Sequence, residues 1–197
     1  MNQPGTPDPD STSLSRVQVL AAMGITAIIL LMVIQVWRIV GAPVMFPLGW
    51  SWQNSLLGAG LGIVITASSG AVYRLWPAYR DSADRYVLMV LGPLIWPDLI
   101  WLGLLPGISE ELLFRGLLLP AFGFTWIGLG LSSLCFGLMH FSGIEQWPYI
   151  IWASVIGAVL GASAIATGSL LVPVVAHVTT NIMSGCVWKL TQPRLAP

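Results

Sequence analysis

The chain consists of long apolar stretches separated by short polar, proline-containing or glycine-containing interruptions. A helix needs about 20 predominantly apolar residues to cross the hydrocarbon core of a bilayer. Because seven stretches approach or reach that length, the pattern predicts an all-α fold, a polytopic membrane helical bundle with six or seven spanning helices. The predicted helices cover residues 17–37, 54–73, 86–105, 108–119, 125–141, 148–167 and 170–188.

Prolines and glycines refine the boundaries and the packing of these helices. Pro93 and Pro97 interrupt the third helix, and the Pro106-Gly107 pair is expected to end it, because proline cannot donate a backbone hydrogen bond. Small residues spaced four apart are typical of helices that pack closely in membranes. Gly58 with Gly62 and Gly157 with Gly161 have this spacing.

The composition excludes most other classes of protein. Hydrophobic residues make up 56% of the chain and charged residues 8%, whereas charged residues reach roughly 25% in an ordinary soluble domain. Neither a soluble domain nor a disordered chain has this balance. Basic residues number 8 against 8 acidic ones, so we expect a lipid bilayer and no nucleic acid as partner. Cys135 and Cys186 lie in apolar stretches and form neither a disulfide framework nor a CxxC zinc site.

The positions of the charged residues divide the chain into four parts. Residues 1–15 form a Pro-, Asp- and Ser-rich tail that is predicted to be disordered. Residues 16–85 hold two accessory transmembrane helices and an Arg-rich loop at 74–85, and residues 86–190 form the membrane core. Residues 191–197 are a C-terminal tail. By the positive-inside rule the Arg-rich loop, and the N-terminus with it, faces the cytoplasm.

Four charged residues fall inside strongly apolar sequence. They are Asp98, Glu110, Glu111 and Arg115. An ionisable group in the middle of a membrane helix costs at least about 2.5–3.5 kcal/mol, so such groups usually serve a function. Asp98 follows Pro97 and is interpreted as a structural residue that caps a broken helix or lines a cavity.

The other three residues form an EExxxR unit, in which Glu110 and Glu111 precede Arg115. In a helix Glu111 and Arg115 share a face as an i,i+4 pair, in the favourable order of acid before base. Glu110 points roughly 140° away from Arg115, because successive residues turn by about 100°. We therefore expect Arg115 to hold Glu111 while Glu110 remains free for chemistry. The alternative is that both acids complement the dipole at a helix N-terminus.

The chain has two histidines, and each has a neighbour of interest four residues away on the same helical face. Phe136 precedes His140, and Asn181 follows His177. Taken singly, a histidine near a helix end meets water, and an interhelical hydrogen bond explains His177 with Asn181. Together with the two glutamates, the pattern favours one buried polar site.

Such a site could carry out hydrolysis in two ways. A carboxylate beside an imidazole can take a proton from water and return it to a leaving amine, while asparagine and histidine N–H groups stabilise an oxyanion. Alternatively, Glu110, His140 and His177 could hold a zinc ion that polarises a water molecule. The sequence has neither an HExxH motif nor a GxSxG motif, which argues against a zincin and against a serine hydrolase.

The three motifs, in this order and on three separate helices, resemble those of the CPBP family. That family includes the type II CAAX prenyl endopeptidases and the bacteriocin-processing or Abi membrane proteins. Its patterns EExxxR, FxxxH and HxxxN correspond to residues 110–115, 136–140 and 177–181, and the resemblance extends over about residues 100–188. It implies a CPBP/Abi-like catalytic core that acts as an intramembrane endopeptidase on a membrane-associated peptide or protein.

The resemblance also implies a role for each motif. Glu110 and His140 would be the acid/base pair that activates water. His177 and Asn181 would orient water or stabilise the oxyanion. A divalent metal such as zinc and a metal-independent glutamate mechanism fit the residues equally well, so both remain open.

Glu111 and Arg115 would brace the helix that carries the first motif. The alternative function is that of a non-proteolytic membrane protein of the same fold, such as an immunity-like partner, a scaffold or a carrier. In alternating spans Glu110 and His140 lie toward one membrane face, while His177 lies near mid-depth. A common site therefore requires long or tilted helices, or a recessed cavity.

Overall fold

Helices and short connecting turns make up the described structure. The computed structural model describes residues 14–41 and 46–191, and no strand occurs in these ranges. Residues 1–13 and 192–197 of the two predicted tails lie outside the described residues. The helices are α1 (Arg16–Gly41), α2 (Trp52–Leu75), α3 (Pro77–Leu91), α4 (Leu99–Leu113), α5 (Leu119–Phe122), α6 (Trp126–Met139), α7 (Trp147–Thr167) and α8 (Leu171–Thr191). A π-helical turn, Phe114–Leu118, joins α4 to α5, and the prediction of an all-α bundle is confirmed.

Fewer of these helices can cross a membrane than the sequence predicted. Within the described residues, the helices that are long and apolar enough are Arg16–Gly41, Trp52–Leu75, Ile144–Thr167 and Leu171–Thr191. One further span results if the pair Pro77–Leu91 and Trp96–Phe122, bent by 105°, counts as one. The prediction of six or seven was too high because α6 has only 14 residues and because the bent pair replaces two predicted spans. The bundle is still that of a multi-pass membrane protein.

The Arg-rich region that was predicted to be a loop is helical from Pro77 onward. Proline suits the first turn of a helix, where its missing N–H is not needed, and Pro77 begins α3. Tyr79, Ser82 and Ala83 recur at helical spacing and are buried, whereas the charged residues of this segment are exposed. The predicted helix at 86–105 is therefore divided, because its first residues belong to α3 and its last to α4.

Pro106 does not end a helix as predicted but lies inside α4. Without an N–H, Pro106 leaves the Leu102 carbonyl without its usual donor four residues further on. The side chain of Asn181 in α8 supplies a donor, with its Nδ2 3.3 Å from the Leu102 oxygen. The helix continues through Pro106 because a side chain from another helix satisfies its backbone.

Glycines bring α8 into close contact with its neighbours. A Cβ atom on Gly58 would lie 2.7 Å from the Val172 carbonyl oxygen, and one on Gly62 would lie 2.6 Å from the Ala176 oxygen. The second predicted pair packs α7 against α6 in the same way, so the predicted close packing is confirmed for both pairs. As a result α8 packs directly on α2, α4 and α7.

Replacing Gly62 by alanine is expected to destabilise the protein, because the new Cβ would meet a backbone oxygen that cannot rotate away. Inserting a methyl group into such a contact costs about 1–3 kcal/mol of unfolding free energy. Gly60→Ala is the matched control on the same helix, since nothing lies within 4 Å of its Cβ position. Denaturant unfolding of both variants in mild detergent measures the difference. Equal stability of the two variants would contradict this packing.

Asp98 is a structural residue whose main partner comes from the first helix. Its carboxylate accepts hydrogen bonds from Nε and Nη2 of Arg16 at 2.7 and 2.8 Å. It also accepts one from the Ile95 N–H at 2.9 Å, at the break between α3 and α4. The interpretation of Asp98 as the cap of a broken helix is therefore confirmed, whereas its pairing with Arg16 was not predicted.

Arg16→Ala is expected to lower the unfolding free energy, because hydrogen bonds to a charged group are stronger than those between neutral groups. The reason is that the buried carboxylate of Asp98 loses both bonds from the guanidinium. Arg38→Ala, on the same helix, is the control, because Arg38 is exposed and its hydrogen bond among the described residues is a long one, to Gln35 at 3.5 Å. Unfolding in detergent should leave the control within about 0.5 kcal/mol of wild type. If both variants lost the same amount of stability, the prediction that the Arg16–Asp98 pair stabilises the fold would be contradicted.

Candidate active site

Arg115 lies in the π-helical turn and is held by partners on two other helices. Its Nη1 donates to Glu111 Oε1 at 2.7 Å, and its Nη2 donates to the Gly157 carbonyl of α7 at 2.8 Å. Its guanidinium carbon lies 4.4 Å from the centre of the Phe136 ring of α6, a favourable cation–π distance. Arg115 is 1% exposed and Glu111 is 0% exposed, so the predicted i,i+4 pair exists and is fully enclosed.

Glu111 has a second partner that the sequence did not reveal. The same oxygen, Oε1, lies 2.8 Å from Nδ1 of His177 in α8. Because a carboxylate paired with a guanidinium is ionised and can only accept, Nδ1 of His177 carries the proton. The other ring nitrogen, Nε2, is then the atom through which His177 can act.

His140 occupies the position where α6 ends. Its Nδ1 lies 3.0 Å from the Phe136 carbonyl oxygen, and since a carbonyl oxygen only accepts, Nδ1 carries the proton here too. The Phe136 ring is also close, with its centre 5.0 Å from that of the imidazole. The predicted pairing of Phe136 with His140 is thus both a hydrogen bond and a ring contact, and it leaves Nε2 of His140 available.

Glu110 points away from Arg115, as the helical spacing predicted, and lines a cavity. This cavity of about 380 Å³ is also lined by His140, His177 and Asn181. The recessed cavity that a common site required is therefore present. Glu110 is 7% exposed, and its Oε2 is buried without a hydrogen bond to any described residue.

The six predicted residues therefore fall into two groups. Glu110, His140, His177 and Asn181 line the cavity, whereas Glu111 and Arg115 lie behind it and do not line it. Glu111 connects the groups through its contact with His177. One Asn181 N–H is directed to the Leu102 carbonyl of α4, which leaves a second N–H and the amide oxygen for other partners.

Sequence reasoning missed several residues of the cavity wall. Tyr86 of α3 and Tyr149 of α7 line it beside His140, and Ser109 lines it next to Glu110. The first helix supplies an apolar wall made of Val19, Ala22, Met23, Thr26 and Ala27. Tyr79, Ala83 and Tyr86 follow one another at intervals of four and three residues, which could have indicated that this face of α3 points inward. Nothing comparable in the sequence indicates Tyr149.

The fixed charges of the site do not cancel. Two carboxyl groups, of Glu110 and Glu111, face one guanidinium, of Arg115, in a low-dielectric interior. When all three groups are ionised their net charge is −1, and an uncompensated charge in such surroundings is costly. One additional proton would make the net charge zero.

The residues predicted to bind a metal do not assemble into a ligand cluster. Within the described ranges, no three His, Cys, Asp or Glu side chains are placed so that they could hold a metal ion. Glu110, His140 and His177 line the same cavity, but Nδ1 of each histidine is already bonded to a protein acceptor. Zinc binding stays a prediction, and we derive no step of the chemistry from it.

Comparison with known proteins points to the same part of the chain. Residues 92–183 match the family model of the type II CAAX prenyl endopeptidase Rce1-like proteins. An uncharacterized protein of Bacillus subtilis (strain 168), YpbD, is 30% identical over 129 residues, which are 66% of this chain and 66% of that protein. No solved structure matches. The family match contains all six predicted site residues and excludes α1, α2 and α3.

Arg115→Met is expected to lower the unfolding free energy by about 3–5 kcal/mol, because it leaves the buried Glu111 carboxylate with a histidine as its only partner. Adding Glu111→Gln removes the second charge, so the double variant should recover a large part of that loss. Chemical unfolding of the single and double variants in detergent tests both statements. A double variant no more stable than Arg115→Met would show that charge pairing is not what holds this contact.

Proposed function

The chain belongs to the type II CAAX prenyl endopeptidase Rce1-like family, and we propose that it is an intramembrane endopeptidase in which Glu110 and His140 activate water. The family is one of proteases, which supports hydrolysis of a peptide bond as the reaction. The observation that carries the proposal is Glu110 itself, a buried carboxyl group that forms no salt bridge with any described residue. It shares its cavity with a histidine whose Nε2 is available.

The proposed reaction begins with a water molecule between Glu110 and the substrate carbonyl. The Glu110 carboxylate takes a proton from this water as the water oxygen attacks the carbonyl carbon. The C–N bond of the resulting tetrahedral species then breaks, and the leaving amine receives a proton from Glu110 or from His140. His140 can exchange the proton through Nε2, because its Nδ1 is fixed on the Phe136 carbonyl. The charge imbalance of the site suits a group that must hold a proton for part of the cycle.

The second and third motifs would then have separate tasks. With its proton on Nδ1 and directed to Glu111, His177 presents an unprotonated Nε2, which accepts a hydrogen bond and orients the attacking water. Asn181 keeps one amide N–H on Leu102 and can direct the other toward the developing oxyanion. Glu111 and Arg115 act as positioning residues, because they fix the His177 ring and touch the cavity only through it.

The substrate that we propose is a membrane-associated peptide or protein. The cavity combines polar groups at Glu110 and His140 with apolar walls from α1 and α3, which suits a chain segment that approaches from the bilayer. The family name makes a farnesylated peptide with a C-terminal CAAX sequence the first probe. We also propose that the N-terminus lies on the cytoplasmic side, as the arginines around α3 suggest.

Glu110→Gln and His140→Asn are expected to reduce kcat for this reaction by at least about 100-fold, because general acid–base groups contribute roughly that much or more. Both variants keep a polar side chain of similar shape, and the asparagine can still donate to the Phe136 carbonyl. Cleavage of an internally quenched, farnesylated CAAX peptide by purified protein in proteoliposomes measures the rate.

Glu145→Gln is the matched control, since Glu145 is an exposed glutamate in a surface turn. It should retain wild-type activity. The same assay with an unprenylated peptide tests whether the lipid is required. Wild-type rates in both site variants would contradict the roles proposed for Glu110 and His140, and the absence of cleavage of either peptide by the wild type would count against this protease activity.

A further inference from the structure

Two tyrosines from different helices form a stacked pair beside the proposed catalytic histidine. The ring centres of Tyr86 in α3 and Tyr149 in α7 are 4.4 Å apart, with an angle of 26° between their planes. Both residues line the cavity that contains Glu110 and His140. Tyr86 lies outside the matched residues 92–183, so this part of the cavity is built by a helix that the family match does not include.

The pair completes a ring of aromatic contacts around His140. The imidazole centre lies 6.1 Å from that of Tyr86 and 6.0 Å from that of Tyr149, and Phe136 lies on a third side at 5.0 Å. All three distances fall within the range of about 4.5–7 Å that is typical of interacting aromatic rings. Because His140 follows the last residue of α6, its backbone is not held by a continuing helix, and these rings limit how far the imidazole can turn.

The tyrosine pair is itself supported from behind. Tyr79, about two helical turns before Tyr86 on α3, stacks on Tyr149 with a centre-to-centre distance of 6.2 Å and an angle of 9°. The α3 helix is tied to the turn before α7 by Ser82, whose hydroxyl donates to Gln146 at 2.5 Å. These contacts fix the position of α3 relative to α7, so the two rings are held where they meet His140.

We propose that Tyr86 and Tyr149 are positioning residues for His140, and that their rings keep its Nε2 directed into the cavity. This inference rests on the proposed function in assigning His140 a catalytic task. The rings rather than the hydroxyls carry the effect, since neither hydroxyl forms a hydrogen bond with another described residue. A helix outside the family match, α3, thus contributes to the proposed active site.

The first test compares leucine with phenylalanine at each position. Tyr86→Leu and Tyr149→Leu should lower kcat by about tenfold or more with KM within about twofold, because small displacements of a catalytic group are costly. Tyr86→Phe and Tyr149→Phe keep the ring and should remain within about twofold of wild type. The probe is the farnesylated CAAX peptide in proteoliposomes. Tyr73→Leu is the control, because Tyr73 contacts Asp84 and does not line the cavity.

The second test does not depend on cleavage. The chain has only two histidines, so NMR of histidine-labelled protein in micelles gives two sets of ring signals, which His177→Asn assigns. The order parameter of the His140 ring should fall in the leucine variants and stay unchanged in the phenylalanine variants. Signals of His177 report whether each variant is folded, and both leucine changes are at half-buried positions.

The outcomes separate this inference from the proposed function. If the wild type cleaves no probe, the proposed function fails, while the NMR comparison still decides whether the tyrosines order His140. An unchanged His140 order parameter in both leucine variants would overturn the inference. Phenylalanine variants that lose as much activity as the leucine variants would also overturn it, because the hydroxyls would then be the active groups.

Discussion

The fold of the catalytic region depends on one buried carboxylate. Glu111 is 0% exposed, and its Oε1 accepts from both Arg115 and His177. An ionised carboxylate in an apolar interior is tolerated only where its partners are in place. One partner, His177, lies in α8. The other, Arg115, also donates to the Gly157 carbonyl of α7. Through Oε1 alone this carboxylate joins α4 to the π-helical turn and to α8, while its Oε2 is buried without a hydrogen bond to any described residue.

Such a contact is possible only if α4 and α8 approach closely. A Cβ atom on Gly107 would lie 2.6 Å from Cγ2 of Val178, and these residues are one helical turn before Glu111 and directly after His177. Close approach and ion pairing therefore depend on each other at the same point of the bundle. Asn181, one turn after His177, adds a further contact between α8 and α4. Its side-chain N–H donates to the Leu102 carbonyl, which lacks its usual donor because residue 106 is a proline.

Contacts between residues close in sequence were predictable, and contacts across the chain were not. Helical spacing predicted the Glu111–Arg115 pair, the glycine pairs and the direction of Glu110 away from Arg115, because helical geometry alone determines which residues share a face. It could not show that His177 joins Glu111 from 66 positions away, or that Arg16 reaches Asp98. The Pro106 prediction was wrong for the same reason: local chemistry argues for a break, while the donor that prevents it belongs to another helix.

The distribution of cations supports the proposal that Glu110 is the reactive carboxyl group. Among the described residues, the buried acids are Asp98, Glu110 and Glu111. Arg16 neutralises Asp98 and Arg115 neutralises Glu111, whereas Glu110 has no salt bridge and borders the cavity. Glu110 is thus the one of these three acids whose carboxyl group faces the cavity without a cation beside it, and this arrangement supports the proposal that proton transfer belongs to Glu110 rather than to Asp98 or Glu111.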